Sequence, residues 1–169
     1  MTLSGMAIPD NSAQDGGARF RKRPRSLGRR LVMQYLFAVD LGSGFGSETI
    51  DYFLDLQREA EQEAGVDLDN GEAARDWAAA TVFARELAAA ILSRRDELDV
   101  RIAGAATNWD VRRVAAVERN ILRLAAWELL AGAVDRAVVI DEAVRLAKLF
   151  GGKDSGAFVN GVLDAMGKP

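Results

Sequence analysis

The most regular apolar pattern of the chain lies in its last third, over residues 138–166. Apolar residues recur there at steps of three and four, first over 139–147 and again over 158–166, and charged residues fill the positions between them. This spacing places an apolar stripe on each of two helices. Gly151 or Gly152 is expected to end the first helix in the left-handed conformation. The pattern therefore predicts two neighbouring helices joined by a short break and running roughly antiparallel.

The hairpin also carries polar residues that a core does not need. Asp154 or Ser155 is placed to cap the second helix, where backbone donors would hold the Asp154 side chain. Asn160 lies one step beyond the edge of the apolar stripe. A cap and a satisfied amide are the structural interpretation, and contacts with a ligand are the functional one. Residue types alone leave both open.

The same helical spacing continues upstream and predicts an all-α protein. Further helices are expected at about 25–41, 47–64, 72–96, 99–107 and 111–130, with Asp110 or Asn108 capping the last of these and Gly132 ending it. The result is a compact bundle of about seven helices, in which the N-terminal three and the C-terminal three or four form two halves. Residues 1–20 are predicted to be a disordered leader, and residues 21–169 one helical domain.

Charged side chains are assigned to the exposed faces of these helices. Arg29, Arg30 and Gln34 share the polar surface of the first helix, and Arg123, Glu128 and Glu142 are placed away from the apolar stripes of later helices. This assignment follows from the usual exposure of charged residues.

The distribution of charge is more informative than the net charge of −3. Residues 19–30 contain seven basic residues and no acidic one, whereas residues 31–169 contain 15 basic and 23 acidic residues. A basic arm on an acidic body suggests a polyanionic partner, with nucleic acid the first candidate. A solvated, solubilising tail is the alternative.

Several classes of chemistry are excluded by composition. The chain has no cysteine and no histidine, so that disulfides, thiol nucleophiles, serine–histidine triads and the common zinc sites are ruled out. The loop 65–71 lacks the ligand spacing of a calcium-binding helix–loop–helix, and 151–155 lacks the spacing of a phosphate-binding loop. No cofactor or metal is predicted. No apolar run approaches the length of a membrane span, so a soluble, cytoplasmic protein is expected.

With these residues in view, the chain resembles the NusB family of bacterial transcription antitermination factors. The resemblance is carried by a C-terminal block of about sixty residues and by a shorter match in the first helix. It consists of Asn108-Trp109, Val117-Glu118-Arg119-Asn120-Ile121-Leu122-Arg123-Leu124-Ala125, Trp127-Glu128-Leu129, Val139-Ile140-Asp141-Glu142-Ala143-Val144, Leu146-Ala147-Lys148, Phe150-Gly151, Asp154-Ser155, Phe158-Val159-Asn160-Gly161-Val162-Leu163-Asp164, Arg29-Arg30 and Gln34-Tyr35-Leu36-Phe37.

The resemblance implies a non-enzymatic RNA-binding adaptor. Members of the family pair with the ribosomal protein NusE on the boxA segment of single-stranded RNA and help the transcription elongation complex to read through terminators, notably in ribosomal RNA operons. Carried over by position, RNA contacts fall on Arg25, Arg29, Arg30, Gln34, Asp154, Ser155, Phe158 and Asn160. Contacts with the protein partner fall on Phe37, Glu118 and Arg119. The sequence does not distinguish a monomer from a homodimer.

Two features depart from the family's pattern, and one rival function remains. Ser26, Leu27 and Gly28 interrupt the arginine cluster of the first helix, and Gly156 and Ala157 stand where larger, sometimes basic, residues occur. A related domain is found in ribosomal RNA cytosine methyltransferases, but their activity requires a nucleophilic cysteine, and the sequence contains no cysteine. The remaining alternative is a helical protein–protein interaction module without RNA binding.

Overall fold

A computed structural model describes residues 24–42, 44–46, 48–106, 110 and 113–167. Within these ranges the chain forms seven helices and no strand, which confirms the all-α prediction. The helices are α1 (Pro24–Asp40), α2 (Ile50–Glu63), α3 (Gly71–Ser93), α4 (Arg95–Ala105), α5 (Ala116–Ala131), α6 (Arg136–Phe150) and α7 (Ser155–Ala165). The predicted leader 1–20 and the basic residues of 19–23 lie outside the described residues.

Helix α5 is the centre of the bundle. It packs against α1, α3, α4, α6 and α7. The reason lies in its sequence, because the segment 121–126 is apolar except for Arg123 and is almost fully buried. A helix that is apolar all round must be covered by neighbours on all of its faces.

The two predicted halves share one core. Helix α1 has its most extensive packing against α3 and also packs against α5, so that α1 connects the N-terminal helices to the C-terminal ones. Its buried residues belong to the same apolar cluster as those of α3, α5, α6 and α7. The predicted stripe of α3 is confirmed in full: Trp77, Thr81, Ala84, Leu87, Ala88 and Ile91 are all buried.

Several helix boundaries differ from the prediction. The stretch expected to form one helix over 72–96 ends at Ser93, and α4 begins at Arg95, with Arg94 as the joint. The Arg94 amide donates to Ile91 O and its carbonyl accepts from Leu98, so that the joint gives each helix end one hydrogen bond without a glycine or proline to mark it in the sequence. Helix α5 begins at Ala116 rather than at Val111, so Asp110 is not its cap.

The two glycine predictions have different outcomes. Gly132 ends α5 in the left-handed conformation, with φ of 63°, as predicted. Gly151 ends α6 with φ of −93° and ψ of −176°, which is extended backbone, so the left-handed prediction is wrong there. The glycine at position 151 is explained instead by the lack of space for a side chain, because a Cβ there would lie 2.4 Å from Ser155 Oγ and 2.7 Å from Ala147 O. None of the helices in the described ranges has both the length and the apolar character needed to cross a membrane.

Candidate nucleic-acid interface

The first turn of α1 presents one exposed arginine. Pro24 is the first helical residue, a position where its missing amide hydrogen costs nothing. Arg25 follows and is exposed, and its guanidinium carbon lies 5.7 Å from the centroid of the Phe83 ring on α3. Among the described residues Arg25 has no ion-pair partner. Its charge is therefore available to a ligand.

Arg29, one turn further along α1, is buried. Its Nε and Nη2 donate to the two carboxylate oxygens of Glu128 on α5, each at 2.8 Å, and both side chains are only 3 % exposed. Arg29 also lies 3.9 Å from a carboxylate oxygen of Glu142 on α6. The prediction that Arg29 and Glu128 lie on exposed faces is wrong. A guanidinium enclosed in this way cannot hold an RNA phosphate without first leaving Glu128.

Glu142 is the second carboxylate of this buried group. The Ser26 hydroxyl donates to Glu142 Oε1 at 3.0 Å, and Glu142 Oε2 is buried without a hydrogen-bond partner among the described residues. The expectation that Glu142 turns away from the core is also wrong. The group joins the first two turns of α1 to α5 and α6 and so fixes the direction in which α1 begins.

Arg30 and Gln34 lie on another face of α1. Arg30 Nη2 donates to Glu61 on α2 at 2.7 Å, and the two side chains are 18 % and 20 % exposed. Gln34 is half-buried, and its Oε1 has no hydrogen-bond partner among the described residues. Arg30 remains partly accessible, but its charge is already balanced.

The C-terminal end of α1 carries a carboxylate instead. Asp40 accepts hydrogen bonds from Arg119 at 2.9 Å, from Asn120 at 3.1 Å and from Arg123 at 2.9 Å, all on α5. Arg123 also donates to both oxygens of Asp99 on α4. Arg123 is buried, so its predicted exposure is wrong.

These contacts change the pKa of both central groups. Burial alone would raise the pKa of Asp40, but the hydrogen bond from Arg119, the charge of Arg123 and the bond from Asn120 outweigh burial and lower it below 3.8. Burial alone would lower the pKa of Arg123, but its bonds to Asp99 and the charge of Asp40 outweigh burial and raise it above the ordinary value of an arginine. Both groups therefore stay charged at neutral pH.

The start of α7 joins a predicted RNA contact to a predicted partner contact. The Ser155 hydroxyl is buried and donates to Glu118 Oε1 at the start of α5, and Glu118 Oε2 is buried without a partner among the described residues. Asp154 is exposed and occupies the cap position, but its side chain makes no cap hydrogen bond, contrary to the prediction. Asp154 is thus presented to solvent, whereas Ser155 faces inward.

The remaining predicted contacts are partly covered. Phe158 and Phe37 are half-buried and pack against the core. Asn160 is half-buried, and its amide donates to Asp164 at 3.2 Å. Arg119 is 21 % exposed and holds Asp40. Each could present an edge to a ligand, although none has a fully exposed side chain.

The sequence model of the NusB family matches residues 27–168, which is most of the chain. The chain belongs to the NusB family. The NusB match covers α1 from Leu27 onward and all of α2 to α7, so the exposed Arg25 lies just outside it.

Two relatives illustrate the match. The transcription antitermination protein NusB of Geobacter sulfurreducens is 38 % identical over 141 residues, which cover 83 % of this chain and 91 % of that protein. The protein of the same name from Sorangium cellulosum is 43 % identical over 141 residues, which cover 83 % of this chain and 89 % of that protein.

Solved structures agree with the fold. NusB from T. maritima superposes with a TM-score of 0.67 at 28 % identity, and the match covers 86 % of this chain and 91 % of that one. A structure of the antitermination factors NusB and NusE in complex with double-stranded RNA gives a TM-score of 0.65 at 24 % identity, and the match covers 85 % of this chain and 95 % of that one. At this identity the second likeness concerns the fold alone.

The structure does not gather the RNA contacts implied by the NusB resemblance at one point. Arg29 is bound to Glu128, near the end of α5, and Ser155 to Glu118, near its start. Ten residues of helix separate the two glutamates, which corresponds to about 15 Å along the axis. The start of α1 and the start of α7 therefore lie at different levels of α5, and an RNA strand would have to run along the bundle to reach both.

Sequence reasoning missed the residues that engage the α1 arginines. Glu61 and Glu128 resemble any other charge on a helix, and their partners on α1 lie 31 and 99 residues away in sequence. Phe83 had one available signal, since it is an aromatic residue outside the apolar stripe of α3. Its position opposite Gly28 becomes evident only from the packing of α1 on α3.

Proposed function

We propose that this chain is a non-enzymatic, RNA-binding transcription antitermination factor. It pairs with the ribosomal protein NusE on single-stranded boxA-type RNA within the transcription elongation complex, in the cytoplasm, and supports transcription of ribosomal RNA. The observation that carries the proposal is its membership of the NusB family, together with the name shared by relatives that match it over about nine-tenths of their length.

The charge at the start of α1 supports the RNA part of the proposal. Recognition of single-stranded RNA requires cations along the backbone and groups that stack on or bond to unpaired bases. Arg25 is exposed and follows the basic residues of 19–23 in sequence, with Pro24 between them. We assign the first phosphate contacts to Arg25 and to the basic arm of residues 19–23. Arg30 and Gln34 are assigned further contacts through the parts of their side chains that remain accessible.

The start of α7 supplies the second proposed contact. Asp154 is exposed there, and Phe158 and Asn160 follow on the same helix. A carboxylate and an amide can bond to base edges, and the rim of a half-buried ring can meet a base face. Ser155 contributes by holding Glu118 and thereby the start of α7, rather than by touching RNA.

The NusE surface is proposed to include Phe37, Glu118 and Arg119. A solved protein of the same fold is described as assembled with NusE and RNA, which makes this partner the natural candidate. Arg119 already holds Asp40 at the end of α1, next to Glu118 in sequence. A partner at this surface would cover charged groups whose geometry is fixed before binding.

One observation favours the rival function. Arg29 and Arg30 are both paired with carboxylates, which leaves less free charge on α1 than its sequence suggests. A protein-interaction module without RNA binding would show this neutralisation. The two functions predict different effects on RNA binding when the basic arm that precedes Pro24 is removed.

The test is a titration of labelled boxA-type and scrambled RNA with the full chain, with a variant lacking residues 1–23, and with each of these together with NusE. The proposal predicts tighter binding of the boxA-type strand, an affinity that falls steeply with salt, and a large loss of affinity without the arm. NusE binding without any RNA binding would establish the rival. An RNA affinity that does not depend on salt would contradict the role of the basic arm.

A further inference from the structure

The start of α1 approaches α3 unusually closely because residue 28 is a glycine. A Cβ at Gly28 would lie 2.6 Å from Phe83 Cδ1 and 3.0 Å from Ala80 O. The first distance is far below normal contact and the second is tight, and the backbone at Ala80 cannot move aside as a flexible side chain can. The Phe83 ring therefore occupies the space that a side chain at position 28 would fill.

This placement brings the ring to two arginines at once. Arg25 and Arg29 are four residues apart and share one side of α1. The guanidinium carbons of both lie 5.7 Å from the centroid of the Phe83 ring. Both distances fall within the range of a cation–π contact.

The contact with the Phe83 ring has a different consequence for each of the two arginines. Arg29 is already fixed by two hydrogen bonds to Glu128 and is buried. Arg25 is exposed and makes no ion pair among the described residues. A free arginine side chain loses much rotamer freedom when it binds a phosphate. A ring that holds the stem and guanidinium beforehand reduces that loss.

We propose that Phe83 is a positioning residue for RNA binding, which holds the Arg25 guanidinium over its ring and thus pre-organises it for a backbone phosphate. Gly28 makes this contact possible, because a side chain at position 28 would occupy the space of the Phe83 ring. This inference rests on the proposed function, and it assigns a role to a residue on α3 that itself touches no RNA.

The test compares RNA affinities of four full-length proteins in the presence of NusE, with a fluorescein-labelled boxA-type single strand as probe. They are the parent chain, Phe83→Leu, Arg25→Ala and the double variant. Phe83→Leu keeps an apolar side chain and removes the ring, and is expected to weaken binding about three-fold to ten-fold. In the Arg25→Ala background the same change should have no further effect, because the group that the ring positions is gone.

Two controls separate positioning from a structural effect. Phe83→Tyr keeps the ring and should bind RNA within about two-fold of the parent chain. Tyr52→Leu removes an exposed aromatic on α2, which stacks on Phe45, and should leave RNA affinity unchanged. Unfolding midpoints and NusE affinities of all variants report on folding.

A second measurement keeps the inference falsifiable if Phe83→Leu unfolds. In the NMR spectrum of the free parent chain, the Arg25 Hδ protons should be shifted upfield by the ring current of Phe83. Random-coil shifts for these protons would overturn the inference, as would equal losses from Phe83→Leu with and without Arg25. Failure of the parent chain to bind RNA would instead overturn the proposed function, and the inference with it.

Discussion

The two ends of α1 are fixed by ion pairs of opposite polarity. At its N-terminal end an arginine of α1, Arg29, enters an acidic site made by Glu128 and Glu142. At its C-terminal end a carboxylate of α1, Asp40, enters a basic site made by Arg119 and Arg123. Since α5 supplies partners at both ends, the pairs are compatible only with antiparallel packing of α1 on α5.

This polarity opposes the dipole of α1. Acidic groups are favoured near a helix N-terminus and basic groups near a C-terminus, each by about 0.3–1 kcal/mol. Helix α1 has no acidic residue in its first turn and no basic residue in its last. The positions of Arg29 and Asp40 on α1 are therefore explained by their ion-pair partners on other helices, and not by the helix dipole. The arginines of α1 therefore serve first to fix its position against the neighbouring helices, and among those that the structure describes Arg25 alone lacks an ion-pair partner.

The largest effect is expected from breaking the N-terminal pair. Arg29→Met leaves Glu128 buried without its partner, and the free energy of unfolding should fall by about 3–5 kcal/mol. Urea unfolding at pH 7 measures this loss. The double variant Arg29→Met with Glu128→Leu replaces the pair by apolar groups and should recover most of the stability. A double variant as unstable as the single one would contradict the explanation.

A smaller effect is expected at the other end of the helix. Asp40→Asn removes a carboxylate from three donors, but Arg123 keeps both of its bonds to Asp99. The free energy of unfolding should therefore fall by about 2 kcal/mol. A loss of stability equal to that of Arg29→Met would mean that Asp99 does not compensate the charge of Arg123 when Asp40 is replaced.

The C-terminal end should also respond to acid. Because the pKa of Asp40 is lower in the folded chain than its ordinary value of 3.8, its ionised form stabilises the fold above that value. This contribution is lost as the pH falls through the folded pKa. Urea unfolding between pH 7 and pH 3 should show a smaller acid-induced loss for Asp40→Asn than for the parent chain. Identical slopes would contradict the lowered pKa.

The smallest effect is expected at an exposed pair. Arg85 donates to Asp51 at 2.6 Å, but the two side chains are 45 % and 72 % exposed. Asp51→Ala should change the free energy of unfolding by less than about 0.5 kcal/mol, because solvent screens the pair. A change comparable with that at Asp40 would mean that distance, rather than burial, ranks these ion pairs.

The comparison also explains what could be predicted from the sequence. Apolar spacing is a local property, so it identified the helices and the entire buried stripe of α3. The burial of Arg29, Glu128 and Glu142 depends on pairing across α1, α5 and α6, which helical spacing does not contain. For the same reason the candidate site was only partly predicted: Arg25 and Asp154 are exposed, but Asp154 does not form the predicted cap bond, and Arg29 and Ser155 are engaged inside the bundle.

The most direct measurement is the salt dependence of RNA binding for three proteins in the presence of NusE. They are the parent chain, Arg25→Ala, and the double variant Arg29→Met with Glu128→Leu. Each phosphate contact to a single strand contributes about 0.7 to the slope of log affinity against log salt. The account predicts that Arg25→Ala lowers the slope by about this amount, and that the double variant leaves it unchanged. A slope lowered by the double variant and not by Arg25→Ala would contradict it.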